Sequence, residues 1–332
     1  MIKYSIAWWN VENLFDVFNA PLRPERLKKT LKSELKGWTQ SVLNKKINQL
    51  ASIIKQINNS KGPDILGVCE IENEEVVKLL SDKMEELTGR KYKVAHHNTK
   101  DARGIDVAVI YDKTKFKELD TFAQVLYKRN ATRDIFQVNF RTKSPDDDEK
   151  GNEFVVVGNH WPARMGGELD SAPYRMMAGE TLAYWHSRIL EEHGKECPII
   201  AMGDFNDEPF NRSVTGYALS TRNKTKVMKA RSPRFYNLMW AEMGKGNNSY
   251  YYNGWPNMLD QFLVSKGLLK NDSSIKVDIK TVKVEIFPEM TFGTYKAPKR
   301  FGRPSKKSTY NPEGYSDHFP ISVILEEDES SL

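Results

Sequence analysis

The chain has 332 residues, 39% of them hydrophobic and 28% charged, with a net charge of +6 and an isoelectric point near 9.0. That content fills a large core, while no apolar run approaches the roughly 18 residues of a membrane span. Cys69 and Cys197 are the only cysteines and both sit in apolar strand-like runs, which excludes a disulfide framework and fits a reducing compartment.

The opening stretch MIKYSIAWWNVENLF has one lysine, no long apolar core and no small-residue cleavage site, so it reads as a first strand over 2–9. As it stands the sequence points to the cytoplasm; a secreted or periplasmic home follows only if a leader has been removed. Val42, Ile47, Leu50, Ile54 and Ile57 recur at helical spacing and predict an amphipathic helix over 41–57. Then come a strand at 65–70, a helix at 74–87, and strands at 92–96 and 105–111. The strands at 135–141 and 154–159 flank the polar TKSPDDDEKGN, which reads as a hairpin loop. A helix over 174–192 and strands at 199–202, 261–264, 281–286 and 321–325 complete the pattern, and the basic stretch 215–232 is left unplaced. Two sheets packed face to face with helices outside is the economical architecture. One domain over 1–326 is expected, with 327–332 as an acidic tail.

Polar residues gather where these strands end. Asn10 and Glu12 follow Trp9, Glu70 and Glu72 follow Cys69, Asn159 and His160 follow Gly158, and Asp204 and Asn206 follow Gly203. Asp260 opens a later strand, and Asp317 and His318 precede the last one. Alone, MGDFNDEP reads equally as a strand-to-turn exit or as a site at the end of a strand buried on both faces. Together the clusters form a convergent set of carboxylates, amides and histidines, without a phosphate-cradling glycine loop, a nucleophile elbow or a zinc pattern. Close carboxylates repel by roughly 4 kcal/mol per pair at 4 Å and an effective dielectric near 20. Hard oxygen donors of this kind suit magnesium, with manganese or calcium as alternatives, and magnesium leaves positions for water and phosphate oxygens. A His paired with an Asp orients or deprotonates water. The combination points to phosphoester hydrolysis.

WNVENLFD, DILGVCEIEN, GNHWPAR, MGDFNDEP, LDQFLVS and SDHFPI occur in the order expected of the endonuclease/exonuclease/phosphatase superfamily, which this chain resembles across about residues 5 to 323. The resemblance implies the deoxyribonuclease I-like fold, a four-layered α/β sandwich with two mixed, mainly antiparallel sheets. It places Asn10, Glu70 and Asp317 around a divalent metal, with Glu12 an outer member. Asp204 and Asn206 match the residues that position the attacking water and the phosphate. His318, oriented by Asp260, matches the His–Asp pair at the catalytic centre, as base or as phosphate stabiliser. His160 matches the histidine that contacts the scissile phosphate or leaving group. No residue is assignable to the site tyrosine of the base-excision-repair branch, and His160 favours the nuclease and sphingomyelinase-like branches. Glu72 is expected to be a solvent-facing acid rather than a second ligand, and His96, His97, His186 and His193 to be structural or surface residues.

The basic segment 295–310 enters directly on Asp317 and His318, and YYYNGW at 250–255 leads to Asp260. Cations beside aromatics suit a nucleic-acid backbone, single strands especially. The candidate substrate contacts are Arg164, Lys299, Arg300, Lys306, Lys307, Tyr252 and Trp255, although a solvated loop and a core Trp255 explain the same residues. The expected activity is that of a metal-dependent nuclease on DNA or RNA, working as a monomer. A phosphatase or sphingomyelinase-like hydrolase of an inositol or lipid headgroup is the alternative. A non-catalytic binder fits less well, because no motif residue has been lost.

Overall fold

The computed structural model describes residues 1–144, 150–252, 254–302 and 310–329. Its first half runs β1 (Ile2–Leu14), α1 (Glu25–Leu31), α2 (Gln40–Ser60), β2 (Ile65–Ile71), α3 (Glu74–Thr88), β3 (Tyr92–His96), β4 (Asp106–Asp112), β5 (Phe116–Gln124), β6 (Ile135–Thr142) and β7 (Glu153–His160). The second half runs α4 (Glu168–His193), β8 (Ile199–Asp204), β9 (Ser220–Thr221), α5 (Lys224–Met228), β10 (Phe235–Asn237), α6 (Trp240–Gly244), β11 (Tyr250–Tyr252), β12 (Trp255–Asn257) and β13 (Asp260–Val264). It closes with β14 (Ile275–Val284), β15 (Thr291–Phe292), β16 (Ala297–Pro298) and β17 (Ile321–Glu327).

Two mixed sheets carry the fold, one of six strands in the order β14-β17-β1-β2-β4-β3 and one of seven in the order β5-β6-β7-β8-β13-β10-β9. The β1–β2, β7–β8 and β9–β10 pairs are parallel and the other pairs antiparallel. Side chains alternate across each strand, so β8 sends Ile200 and Met202 into the core between the sheets and Ile199 and Ala201 outward against Ala178, Leu182 and Ile189 of α4. The same rule puts Val156 of β7 inside and Val155 and Val157 under α4. On the far side, Leu50 and Ile54 of α2 and Val77 and Leu80 of α3 cover the first sheet. The result is the four-layered sandwich that the sequence implies. Gly67 sets the spacing at its centre: a Cβ there would stand 2.5 Å from Trp8 Cε3 and 2.6 Å from Met202 Cε, so only hydrogen leaves room for both.

Several details differ from the sequence expectation. The edge strand β5 went unforeseen because FKELDTFAQ is polar and lacks alternation, and its residues are largely half-buried or exposed. Strand β14 begins at Ile275, before a register shift between Asp278 and Lys283 that masks its period. The stretch left unplaced folds as a short π-helical turn (Ser213–Tyr217), then β9 and α5. The polar loop at 142–152 does join the antiparallel pair β6–β7, with its central residues outside those described. Glu72 is not solvent-facing: it is buried, paired with Arg23 at 2.7 Å, and accepts the Asp16 amide at 2.8 Å. Both cysteines are free and buried.

His186 lies on the buried face of α4, stacked on Phe235 at 3.8 Å, and burial lowers its imidazole from 6.5 to about 3. Below pH 6.5 the unfolded chain binds a proton that the folded chain refuses, so stability falls as pH drops toward 3 and is level above 6.5. The slope from this one group is up to about 1.4 kcal/mol per pH unit. His186→Phe is expected to flatten the stability measured by urea titration between pH 6.5 and 4; a slope equal to wild type would show that the folded ring accepts the proton.

Candidate active site

The functional side chains converge because adjacent strands of both sheets end on one edge. In the first sheet β1 delivers Asn10 beside Cys69 of β2, and Glu70 follows immediately. In the second, β7, β8 and β13 align His160 with Asp204 and Asp204 with Asp260. The exit turns are strained: Glu12, Glu70 and Asn206 hold φ of 51°, 63° and 51°, in the left-handed region that side chains disfavour. Such strain persists where surrounding contacts over-determine it, and it concentrates at functional sites. Here the turns swing Glu70 and Asn206 into a cleft of about 310 Å³ that also takes in Asn10, His160, Asp204, Asp317 and His318.

At the floor, His318 Nδ1 lies 2.6 Å from Asp260 Oδ2. The other Asp260 oxygen accepts Trp8 Nε1–H at 3.0 Å across the sheet interface, and the Asp260 amide donates to Ser249 Oγ at 3.0 Å. Ser316 Oγ accepts the His318 amide at 3.1 Å and donates to Asn10 O at 2.6 Å, while Trp9 Nε1 donates to His318 O at 2.8 Å. These bonds fix the ring. Burial disfavours the imidazolium, but Asp260, Asp204 and Asp317 outweigh it and raise His318 to about 10.

Asp204 Oδ2 is 3.8 Å from Nε2 of both His318 and His160 and accepts Asn10 Nδ2–H at 3.1 Å. Burial pushes its carboxyl up to about 6; Asp260 adds to the rise and His318 opposes it. The Asn206 amide N–H donates to Asp204 Oδ1 at 2.9 Å, and its side chain donates to Trp161 O at 2.9 Å. His160 is buried, and burial together with Arg133 and Arg103 holds it well below the usual imidazole value, so it is neutral near pH 7. Its Nδ1 has no hydrogen-bond partner among the described residues.

Glu70 and Asp317 form the acidic wall. Glu70 Oε2 accepts the Asn13 amide at 3.1 Å, and Glu70 Oε1 lies 3.8 Å from His160 Nε2. Burial, with Glu12 and Glu70 adding repulsion, lifts Asp317 to about 7, against His318 and Arg300. Among the described residues no cluster of three or more Asp, Glu, His or Cys forms a metal cage. Two carboxylates beside the Asn10 amide oxygen match instead the sparse protein share of a magnesium site. Glu12 does not belong to that set. It is buried and accepts from Arg300 Nε at 2.8 Å, from the Phe301 amide at 3.0 Å and from the Gly302 amide at 3.1 Å, so it anchors the loop and does not line the cleft.

Other candidate residues fall at differing places. Arg300 is committed to Glu12 and, at 3.3 Å, to Asp317, which makes it an internal counter-charge before it is a substrate contact. Arg164 lines the cleft but is buried, donating to Asn206 O at 2.9 Å and to Asn257 Oδ1 at 3.0 Å, so it braces the turn that carries Asn206. The Lys299 amide donates to Met290 O at 2.8 Å and its carbonyl accepts the Tyr315 amide, and Lys306 and Lys307 lie outside the described residues. Trp255 is 73% exposed and is no core residue; Tyr252 shares its hairpin and lines the cleft. Sequence reasoning missed Tyr250, whose ring lies 4.5 Å from that of His318, and which burial keeps protonated to about pH 12. Its only signal was its place in a run of three tyrosines.

A model of the Endonuclease/Exonuclease/phosphatase family matches residues 5–327. The chain belongs to this family. Protein angel of Drosophila melanogaster is 25% identical over 211 residues, 62% of this chain and 55% of the fly protein, so the chain spans about half the length of that relative. Among solved structures, an endonuclease/exonuclease/phosphatase family protein from Bacteroides thetaiotaomicron superposes with a TM-score of 0.56 at 15% identity, covering 98% of each chain. D. rerio TDP2 complexed with a single-strand DNA product gives 0.56 at 13% identity over 98% of this chain and 100% of that one. The B. thetaiotaomicron mannosyl-6-phosphatase Bt3783 gives 0.54 at 16%, covering 97% and 99%. At these identities the structures share the fold. The family's members are phosphoester hydrolases, and no helix among the described residues of this chain is long and apolar enough to cross a membrane.

Proposed function

We propose that this chain is a divalent-metal-dependent phosphodiesterase that hydrolyses nucleic-acid strands by in-line attack of water. The observation that carries the reading is the 2.6 Å His318–Asp260 pair facing Asp204 across a cleft whose other wall is Glu70 and Asp317. Asp204, with a carboxyl near 6, takes the proton of the attacking water, since a base works best near the operating pH. Asn206 positions that water, and the His318 imidazolium stabilises charge growing on the phosphoryl oxygens. Neutral His160 and the Tyr250 hydroxyl offer further hydrogen bonds to the phosphate. Asn10, Glu70 and Asp317 would hold magnesium or manganese, which supplies charge neutralisation at the phosphate when bound.

Nucleic acid is the substrate class because Tyr252 and exposed Trp255 form a hairpin at the mouth, a surface on which bases stack. The single-strand DNA product in the TDP2 structure is consistent with a strand in this fold. The purified chain with magnesium is expected to cut single-stranded DNA or RNA in preference to an inositol phosphate or sphingomyelin. Trp255→Ala should raise KM for the strand by about 5- to 150-fold, as loss of a base stack worth about 1–3 kcal/mol predicts, and leave hydrolysis of a small phosphodiester unchanged. Turnover of the headgroups alone would replace the nuclease reading with that of a phosphatase.

A further inference from the structure

At the opposite end of the second sheet from the cleft, two cavities meet. Strand β8 has six residues, from Ile199 at that end to Asp204 in the cleft, a separation of roughly 17 Å over five steps at the usual strand rise. The larger cavity, about 700 Å³, lies between the end of α4 and the segment leading into β10, with Arg188 and Lys195 in its wall. The second, about 560 Å³, adjoins it through Arg231 and Arg234 and adds Lys226 and Lys229. One acid, Glu191, lines the pair, and it is spent on Arg188. Lys195, Lys226, Lys229, Arg231 and Arg234 make no ion pair among the described residues, so five cations stand here uncompensated.

His186 supplies an independent sign of a ligand. It forms part of the wall of the larger cavity, is 2% exposed and is held by its stack on Phe235, yet its Nε2 is buried with no hydrogen-bond partner among the described residues. A buried polar nitrogen without a partner is destabilising, so a group that supplied one would be favoured. A phosphate oxygen would accept its proton if the wall shifted enough to expose Nε2 to the cavity.

We propose that the paired cavities are a second phosphate-binding site, remote from the cleft, that takes the backbone of a nucleic-acid strand. The cations extend over two adjoining cavities, further than one phosphate needs, which favours a strand over a free phosphate. The test uses the full chain carrying His318→Ala, so that a labelled single strand is bound without turnover. Adding Lys226→Gln, Lys229→Gln, Arg231→Gln and Arg234→Gln is expected to weaken binding of a long strand at least about tenfold and to flatten the slope of log K against log salt by about 2.8, or 0.7 per contact. A dinucleotide that fills only the cleft should bind as before. His186→Phe, which keeps the stack and loses Nε2, should also weaken the long strand while its melting temperature shows it folded. Unchanged affinity and slope in the four-site variant would overturn the proposal. Stabilisation by inorganic phosphate or a mononucleotide, lost in that variant while the strand slope stays the same, would overturn it in favour of a small-phosphate site. Strand binding here by an otherwise wild-type chain that cuts no nucleic acid would sink the nuclease reading and leave this site standing.

Discussion

Replacing His318 with Ala is expected to lower kcat/KM on a strand by at least the roughly 10² to 10⁴ credited to a positioned acid or base. The imidazole is fixed by the 2.6 Å bond to Asp260, and Asp260 is fixed in turn by Trp8 and Ser249. Asp260→Asn should cost somewhat less, by a specific route. With its single carbonyl turned to the Trp8 indole, the Asn amide donates to His318 Nδ1, which selects the other tautomer and disfavours the imidazolium. Because the two residues serve one step, His318→Ala/Asp260→Asn should be little worse than His318→Ala alone. Losses that multiply would show independent roles and remove Asp260 as the orienting partner. Melting temperature and cation affinity of each variant separate lost chemistry from lost fold.

Most of the sandwich was legible because its central strands are buried on both faces and therefore read as apolar runs, as in Ile199–Asp204. What escaped was the periphery. Strand β5 sits at a sheet edge and buries little, and β9, β10 and α5 are too short to show a period. The candidate site was legible because polar clusters follow several of the apolar strands, in motifs whose order resembles one family, although each cluster alone reads as a turn. Its supports were not. The Trp8–Asp260 bond joins residues 252 apart, and the Glu12–Arg300 bond residues 288 apart. Nothing local in WWN distinguishes an indole that steadies a buried carboxylate of the candidate site from one that fills the core. Glu12 shows the same limit from the other side, since being two residues from Asn10 placed it near the metal ligands, but the left-handed turn points its carboxylate at the loop.

Chelating divalent cations with EDTA is expected to reduce turnover to background, and magnesium or manganese to restore it. The reason is charge. Asp317 is repelled by Glu12 and Glu70; of the cations that oppose them, His318 is committed to Asp260, and Arg300, a side chain 60% exposed, is shared with Glu12. Lys46 sits buried behind this group, but its amine is spent on Tyr315 O at 2.6 Å and burial has lowered it to about 8. The acidic wall thus keeps a deficit of positive charge facing the cleft, where the phosphate would deepen it. A hard divalent ion removes that deficit and leaves water and phosphate oxygens in its remaining positions. Glu70→Ala should accordingly weaken magnesium affinity, measured by calorimetry, at least tenfold, while shifting the metal-free melting temperature little, because Glu70 is only partly buried and relieves repulsion when removed. Full activity in EDTA, or wild-type magnesium affinity in Glu70→Ala, would place the source of phosphate neutralisation elsewhere in the chain.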